Sequence, residues 1–280
     1  VRPLALPWPY FLTDGEPFSQ SVSIDWEQDN AQFHAFCDNP TTSKMAFPET
    51  AIFLNAHDAH RLLKHPEDIV QVSPQRLLCH LDATTNEIYK QIKTFAKLQA
   101  SLPELIFDLE LICGFDKDPQ IELQNVQSTM LAAGLKPDSV LICPAVDRQS
   151  TPPGSDWPSC PPLTEIHRAS AAVFTDCVRG GGMVSFFPEL NRKRPPIELL
   201  DFVSHSLCPI VHAADDISVM ETLETIPHIT RTARAIMGEA SYRIGPSTIA
   251  MRLNPYGQRT MLNHDRSRVC MAHDDPRHGA

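Results

Sequence analysis

Two polar bursts in the second half of the chain hold side chains able to move protons and bind oxygen. The first, FFPELNRKRPP, follows an apolar run and delivers Glu189, Asn191, Arg192 and Arg194. The second, PIVHAADD, delivers His212, Asp215 and Asp216. A carboxylate at the end of a strand serves as general base or acid when burial and neighbours set its pKa. The bland reading of Glu189 is an ion pair with Arg192 or Arg194 that only closes the loop. A histidine at a strand end titrates near neutral pH and shuttles a proton if a carboxylate orients it. Asp215 is the residue expected to orient His212, and Asp216 fits better as a cap of the helix that follows. Asn191 suits a substrate oxygen or a helix cap. Arg192 and Arg194 suit developing negative charge, although Arg194 could equally face solvent.

Three further stretches carry candidates. Asp82 closes the apolar run 76–81, and Glu110 sits within FDLELIC. If Glu110 points into a core it must be paired or functional, because an unpaired buried carboxylate is costly. Arg252, Asn254 and Tyr256 lie in RLNPYG, where Asn-Pro is also an ordinary turn signal. Two inward carboxylates such as Glu110 and Glu189 would suit a glycosidase. No metal site is read here, since His212 with two aspartates lacks a ligand spacing. No cofactor is expected either: no glycine-rich phosphate loop follows a strand. The absence of a G-x-S-x-G elbow disfavours a serine hydrolase of the α/β-hydrolase type.

These residues need elements to hold them. Strands are expected over 76–81, 105–113, 139–145, 183–187 and 209–213, with strand-like runs at 242–244 and 250–252. Helices are expected over 85–100, 118–134, 163–178, 195–205 and 219–237, and 180–182 reads as a flexible turn. The apolar spacing of Ile88, Ile92, Phe95 and Leu98 is helical. Repeated β/α alternation predicts a parallel sheet, and polar residues at the carboxyl ends of strands favour a barrel over an open sheet. About six β/α units from residue 76 fall short of the eight of a closed barrel. The fold class is therefore a (β/α)8-type barrel, incomplete in this chain and preceded by a short β-rich segment. Residues 1–45 read as a connector and β-rich segment, and 46–280 as the barrel. The proline-rich loop 149–162 is long enough to be a lid or a site wall.

Composition narrows the function classes. With 280 residues and 42% apolar content the chain can bury a full core. A net charge of −10 argues against nucleic acid as a partner. No apolar run reaches membrane-spanning length. The eight cysteines lack a CxxC pair, so neither disulfide framework nor zinc site is expected, and a cytoplasmic setting is. The sequence says nothing about oligomeric state. Twenty-five prolines against eleven glycines mark segment edges and stiff loops.

At FPELNRKRPP, PIVHAADDISVMETLE and IGPSTIAMRLNPYG the chain resembles the D-apionate lactonase family. The resemblance covers essentially the whole chain. It implies a glycosidase-like (β/α) barrel behind an amino-terminal β-rich region, and hydrolysis of D-apionolactone to D-apionate in catabolism of the branched sugar apiose. RPLALPWPY resembles the connector inside that protein, and MAHDDPRHGA a segment well before its end. The chain departs from the family pattern after MRLNPYGQRT, where the spacing is short and the final barrel elements are missing. The expected activity is thus lactone hydrolysis, with a small sugar lactone as partner. Glu189, His212 and Asp215 are the expected catalytic residues. Asp82, Glu110, Asn191, Arg192, Arg194, Asp216, Arg252, Asn254 and Tyr256 are the expected binding residues. The rival readings are a glycoside hydrolase using Glu110 and Glu189, and a carbohydrate-binding barrel without chemistry.

Overall fold

Seven strands run parallel, each hydrogen-bonded to the next in chain order: β1 (Ala51–Leu54), β2 (Arg76–Asp82), β3 (Ile106–Cys113), β4 (Ser139–Pro144), β5 (Val178–Phe186), β6 (Phe202–Leu207) and β7 (Ser241–Ser247). The structure, a computed structural model, describes residues 47–280 except 153, 257–259 and 280, with scattered positions between 14 and 23. Those scattered positions apart, the connector and β-rich segment expected over 1–45 lies outside the described residues. The chain divides into two compact units, residues 1–48 with 152–155 and residues 49–151 with 156–280. All elements named here belong to the second unit.

Between the strands lie α1 (Ala56–Leu62), α2 (Glu67–Val72), α3 (Ile88–Ser101), α4 (Pro119–Ala133), α5 (Leu163–Val173), α6 (Phe187–Arg192) and α7 (Asp216–Met237). Strand periodicity sorts side chains onto two faces. Leu77, Cys79 and Leu81 of β2 and Phe107, Leu109 and Leu111 of β3 are buried in the cluster that also holds Ile92, Phe95 and Leu98 of α3 and Leu123, Val126 and Met130 of α4. Each such side chain contributes roughly 1.5–3 kcal/mol on burial. Helix α4 shows how local sequence sets its limits. Asp118 accepts from the Gln120 and Ile121 amides, Pro119 opens the helix, and Gly134 ends it at φ 80.

The opposite face is the lumen, and ion pairs across it reveal the curvature. In a flat sheet β7 would stand roughly 19 Å from β3, four strand spacings away. Arg243 of β7 instead reaches Asp108 of β3 at 3.6 Å and donates to Ser139 of β4 at 2.7 Å. Arg76 of β2 joins the same carboxylate at 3.2 Å. These residues occupy the amino-terminal half of the strands and plug that end. The sheet is a nearly closed (β/α) barrel, in which β1 and β7 are not paired to each other among the described residues. Above the plug, Ile112, Leu141, Cys143, Val184 and Phe202 fill the lumen.

Several expected elements are corrected. The helix over 195–205 is a single 3-10 turn, Ile197–Leu199, followed by β6. Phe202, Ser204 and Ser206 alternate with Val203 and His205, a period of two that the apolar spacing of IELLDF disguised. Residues 209–213 form turns rather than a strand. Helix α5 stops at Val173, well short of 178, where β5 begins. Residues 180–182 are strand, not turn, and their glycines permit close approach. A Cβ on Gly180 would lie 2.2 Å from the Phe202 ring, and one on Gly182 (φ 131) 2.0 Å from the Ser204 carbonyl. Residues 250–252 form no strand. Sequence reading missed β1, α1 and α2, where a short apolar run follows Thr50 without alternation.

Candidate active site

The carboxyl ends of the strands converge on a cluster of ionisable residues. β2 contributes His80 and Asp82, and β3 contributes Glu110. The turn Ala145–Arg148 after β4 brings Asp147 and Arg148, and α6 after β5 brings Glu189 and Arg192. The loop after β7 brings Arg252, Asn254 and Tyr256. This is the functional end of an α/β barrel.

Glu189 sits in the first turn of α6, behind Pro188, and is 3% exposed. Its Oε1 accepts from Arg192 at 3.3 Å. Its Oε2 is buried without a hydrogen-bond partner among the described residues. Arg192 also donates to the Ser150 hydroxyl at 2.8 Å. The Ser150 amide in turn donates to the Pro255 carbonyl at 2.6 Å. Tyr256 faces the same carboxylate: partial burial, and then the Glu189 charge, push its phenol above the ordinary range. The His212 ring lies 6.4 Å from that of Tyr256. Glu189, Arg192, Tyr256 and His212 are therefore brought together.

Glu110 points into the lumen and is fully buried. His80 Nδ1 lies 2.7 Å from Oε1, and Arg252 donates to the same oxygen at 2.8 Å and to Oε2 at 3.4 Å. Burial raises the pKa of this carboxyl, while Arg252 and His80 lower it and prevail, so it stays below the ordinary range. Asp82 pairs with Arg148 at 2.9 Å and accepts from the Thr84 amide and hydroxyl. Asp147 is buried and raised in pKa by that burial, against the pull of Lys193 at 2.6 Å.

Other expected site residues are committed elsewhere. Asp215 does not orient His212: it caps α7, accepting from the Ser218 amide at 3.0 Å and hydroxyl at 2.7 Å. Asp216, expected as the cap, pairs instead with Arg268 at 2.9 Å and Arg277 at 3.1 Å. The cap falls one residue earlier because the helix starts at Asp216. Asn191 and Arg194 are exposed and bonded to each other at 2.8 Å. The Asn254 side chain accepts from the Tyr256 amide at 2.9 Å, so it shapes the turn. His80, Asp147, Arg148, Ser150 and Lys193 were missed. The alternation of RLLCHLD does place His80 and Asp82 on the face opposite Leu77, Cys79 and Leu81, a signal that could have found His80.

A cavity of about 520 Å³ adjoins this cluster, lined by Phe187, Ser206, His212, Val219, Ile226 and Tyr256 among others. Among the described residues no group of three or more His, Cys, Asp or Glu side chains is placed to hold a metal ion. No helix there is long and apolar enough to cross a membrane.

A family model described as the D-apionate lactonase TIM barrel domain matches residues 50–280. The chain belongs to the D-apionate lactonase barrel family. A D-apionate lactonase of Brucella anthropi is 44% identical over 287 aligned residues, covering 99% of this chain and 47% of that protein. The chain thus spans about half the length of the curated relative it matches. Among solved structures, a mandelate racemase/muconate lactonizing enzyme from Roseiflexus sp. is 14% identical at a TM-score of 0.41, covering 74% of this chain and 49% of that one. A Bombyx mori aldo-keto reductase in complex with NADP is 13% identical at 0.39, covering 63% and 60%. These two likenesses are too slight to bear on function. Within the D-apionate lactonase family barrel, the glycosidase alternative is not favoured, since both oxygens of Glu110 are already held by Arg252 and His80.

Proposed function

We propose that this chain hydrolyses a small sugar-derived lactone, D-apionolactone to D-apionate, in cytoplasmic catabolism of apiose. The observation that carries the reading is Glu189, buried in the turn that follows β5, with one oxygen on Arg192, the other without a hydrogen-bond partner among the described residues, and the Tyr256 phenol facing the carboxylate. The name of the 44% identical relative supports it. Oε2 of Glu189 takes a proton from water, and the water oxygen attacks the lactone carbonyl. Arg192 stands beside the forming oxyanion, where a fixed positive charge lowers the barrier. Tyr256 and His212 form the facing wall and bind the sugar hydroxyls.

The test is acid release in a pH-stat with D-apionolactone as substrate and an aryl glycoside as control. Lactone opening without glycoside cleavage is expected. Glu189→Gln is expected to keep the native circular dichroism and lose about 10²–10⁴-fold in kcat. His212→Ala should raise KM more than it lowers kcat. Equal turnover by Glu189→Gln and wild type would sink the assignment.

A further inference from the structure

Opening a lactone needs two proton transfers, and Glu189 accounts for one. The ring oxygen leaves as an alkoxide, a poor leaving group unless something protonates it. The trio of His80, Glu110 and Arg252 has the build of such a donor. Glu110 is a carboxylate with 1% side-chain exposure, and Arg252, at 14%, already supplies it with a balancing charge through two hydrogen bonds. His80 is not needed for neutrality, yet it lies 2.7 Å from the same carboxylate. It is the most exposed member of the trio, at 24% side-chain exposure.

The ring orientation follows from that contact. Against a carboxylate, Nδ1 must carry the proton and donate it. Nε2 is then the working nitrogen, and it is neither buried nor hydrogen-bonded among the described residues. Phe53 of β1 backs the arrangement, with the His80 ring 5.8 Å away and the Arg252 guanidinium 4.1 Å from its centroid. The charged groups facing His80 are Glu110 from β3 and Arg252 from the loop after β7. On β2 itself Asp82 shares its face, held by Arg148. A buried carboxylate that fixes a histidine tautomer while the far nitrogen stays open is the orienting half of a triad. β2 and β5 stand three strands apart around the wall, so His80 and Glu189 approach the lumen from different sides.

We propose that His80 is a second acid–base residue of this site, the donor that protonates the ring oxygen, and that Glu110 is its positioning residue. This rests on the lactone reading above. Water gives one proton to Glu189 as its oxygen bonds to the carbonyl carbon. The ring carbon–oxygen bond then breaks, its electron pair stays on oxygen, and the Nε2 proton of the His80 imidazolium moves there. The product is the open hydroxy acid, which ionises. The Glu189 proton returns through solvent to His80, and the sum is lactone plus water to hydroxy-carboxylate plus one proton.

The experiment compares two substrates on the full chain: D-apionolactone, and an aryl ester of a short hydroxy acid, whose phenolate leaves without a proton. His80→Gln should lose about 10²-fold or more in kcat on the lactone and little on the aryl ester. That retained activity also certifies folding. The alkaline limb of the wild-type pH–rate profile should vanish in His80→Gln. Glu110→Gln should show the same split between lactone and aryl ester, because the imidazole loses the partner that orients it. Equal losses on both substrates, or an unchanged alkaline limb in His80→Gln, would reduce His80 to a structural partner of Glu110 and overturn the proposal. A wild-type chain that opens no lactone fails the lactone reading instead, and the two failures are told apart by that control.

Discussion

At the scale of single residues, the site rests on how carboxylates are partnered. Glu189 and Asp147 each keep one buried oxygen without a hydrogen-bond partner among the described residues, Oε2 and Oδ2 respectively. Both have a cation on the other oxygen, Arg192 and Lys193. Glu110 is the opposite case, saturated on both oxygens. A polar atom left open in a buried setting is costly, and that cost at Glu189 Oε2 is what the proposed role in activating water would explain. Asp215 illustrates how neighbours reassign a residue. Its bonds to Ser218 make it a helix cap rather than a partner of His212. Asp215→Ala should therefore lower Tm by a few degrees through the frayed start of α7, while lactone turnover well below the transition stays at the wild-type level. A collapse of turnover at unchanged Tm would restore the orienting role.

At the scale of elements, β5 is the strand on which sequence rules mislead most. Three consecutive glycines read as a turn, yet Gly180 lies against the Phe202 ring and Gly182 against the backbone of β6. The register shifts between Gly182 and Phe186, and the shift aims the end of the strand into α6. Positive φ at Gly182 suits glycine, and a Cβ there would overlap a carbonyl that cannot swing aside. Gly182→Ala should cost about 3 kcal/mol or more, read from urea midpoints. Because β5 leads directly into α6, which carries Glu189, the variant should also lose lactone turnover. A substitution costing under about 1 kcal/mol would mean the strand can relax there. The helices follow their local signals more closely. α4, expected over 118–134, is bounded by its Asp118 cap, its opening proline and its closing glycine, because each signal acts within one turn.

For the whole molecule, pH is the lever that reads buried ionisable groups. His167 of α5 packs against Gly181 of β5, and burial lowers its pKa from 6.5 to about 4. The folded chain thus refuses a proton that the unfolded chain accepts. The resulting stability is fully present above the unfolded value and is lost as pH falls from there toward the folded value. Between pH 7 and 5 the loss from this residue is about 2 kcal/mol. His167→Leu should flatten that part of the urea-midpoint profile, and an unchanged slope would remove His167 from the account. Glu110 acts lower down: its depressed pKa stabilises the fold above the ordinary carboxylate value, and that contribution fades as pH falls through the folded value. Local patterning alone set the β/α alternation, the outward apolar faces of β2 and β3, the helix limits of α4 and the polar burst that follows β5. Those features are local, because side-chain period and capping act over a few residues. Which polar residues meet was decided only by the tertiary structure. Arg252 reaches Glu110 across 142 positions, and Arg243 reaches Ser139 across 104. Both contacts exist because the sheet curls, and no local pattern encodes the partner that a curled sheet brings within hydrogen-bonding distance.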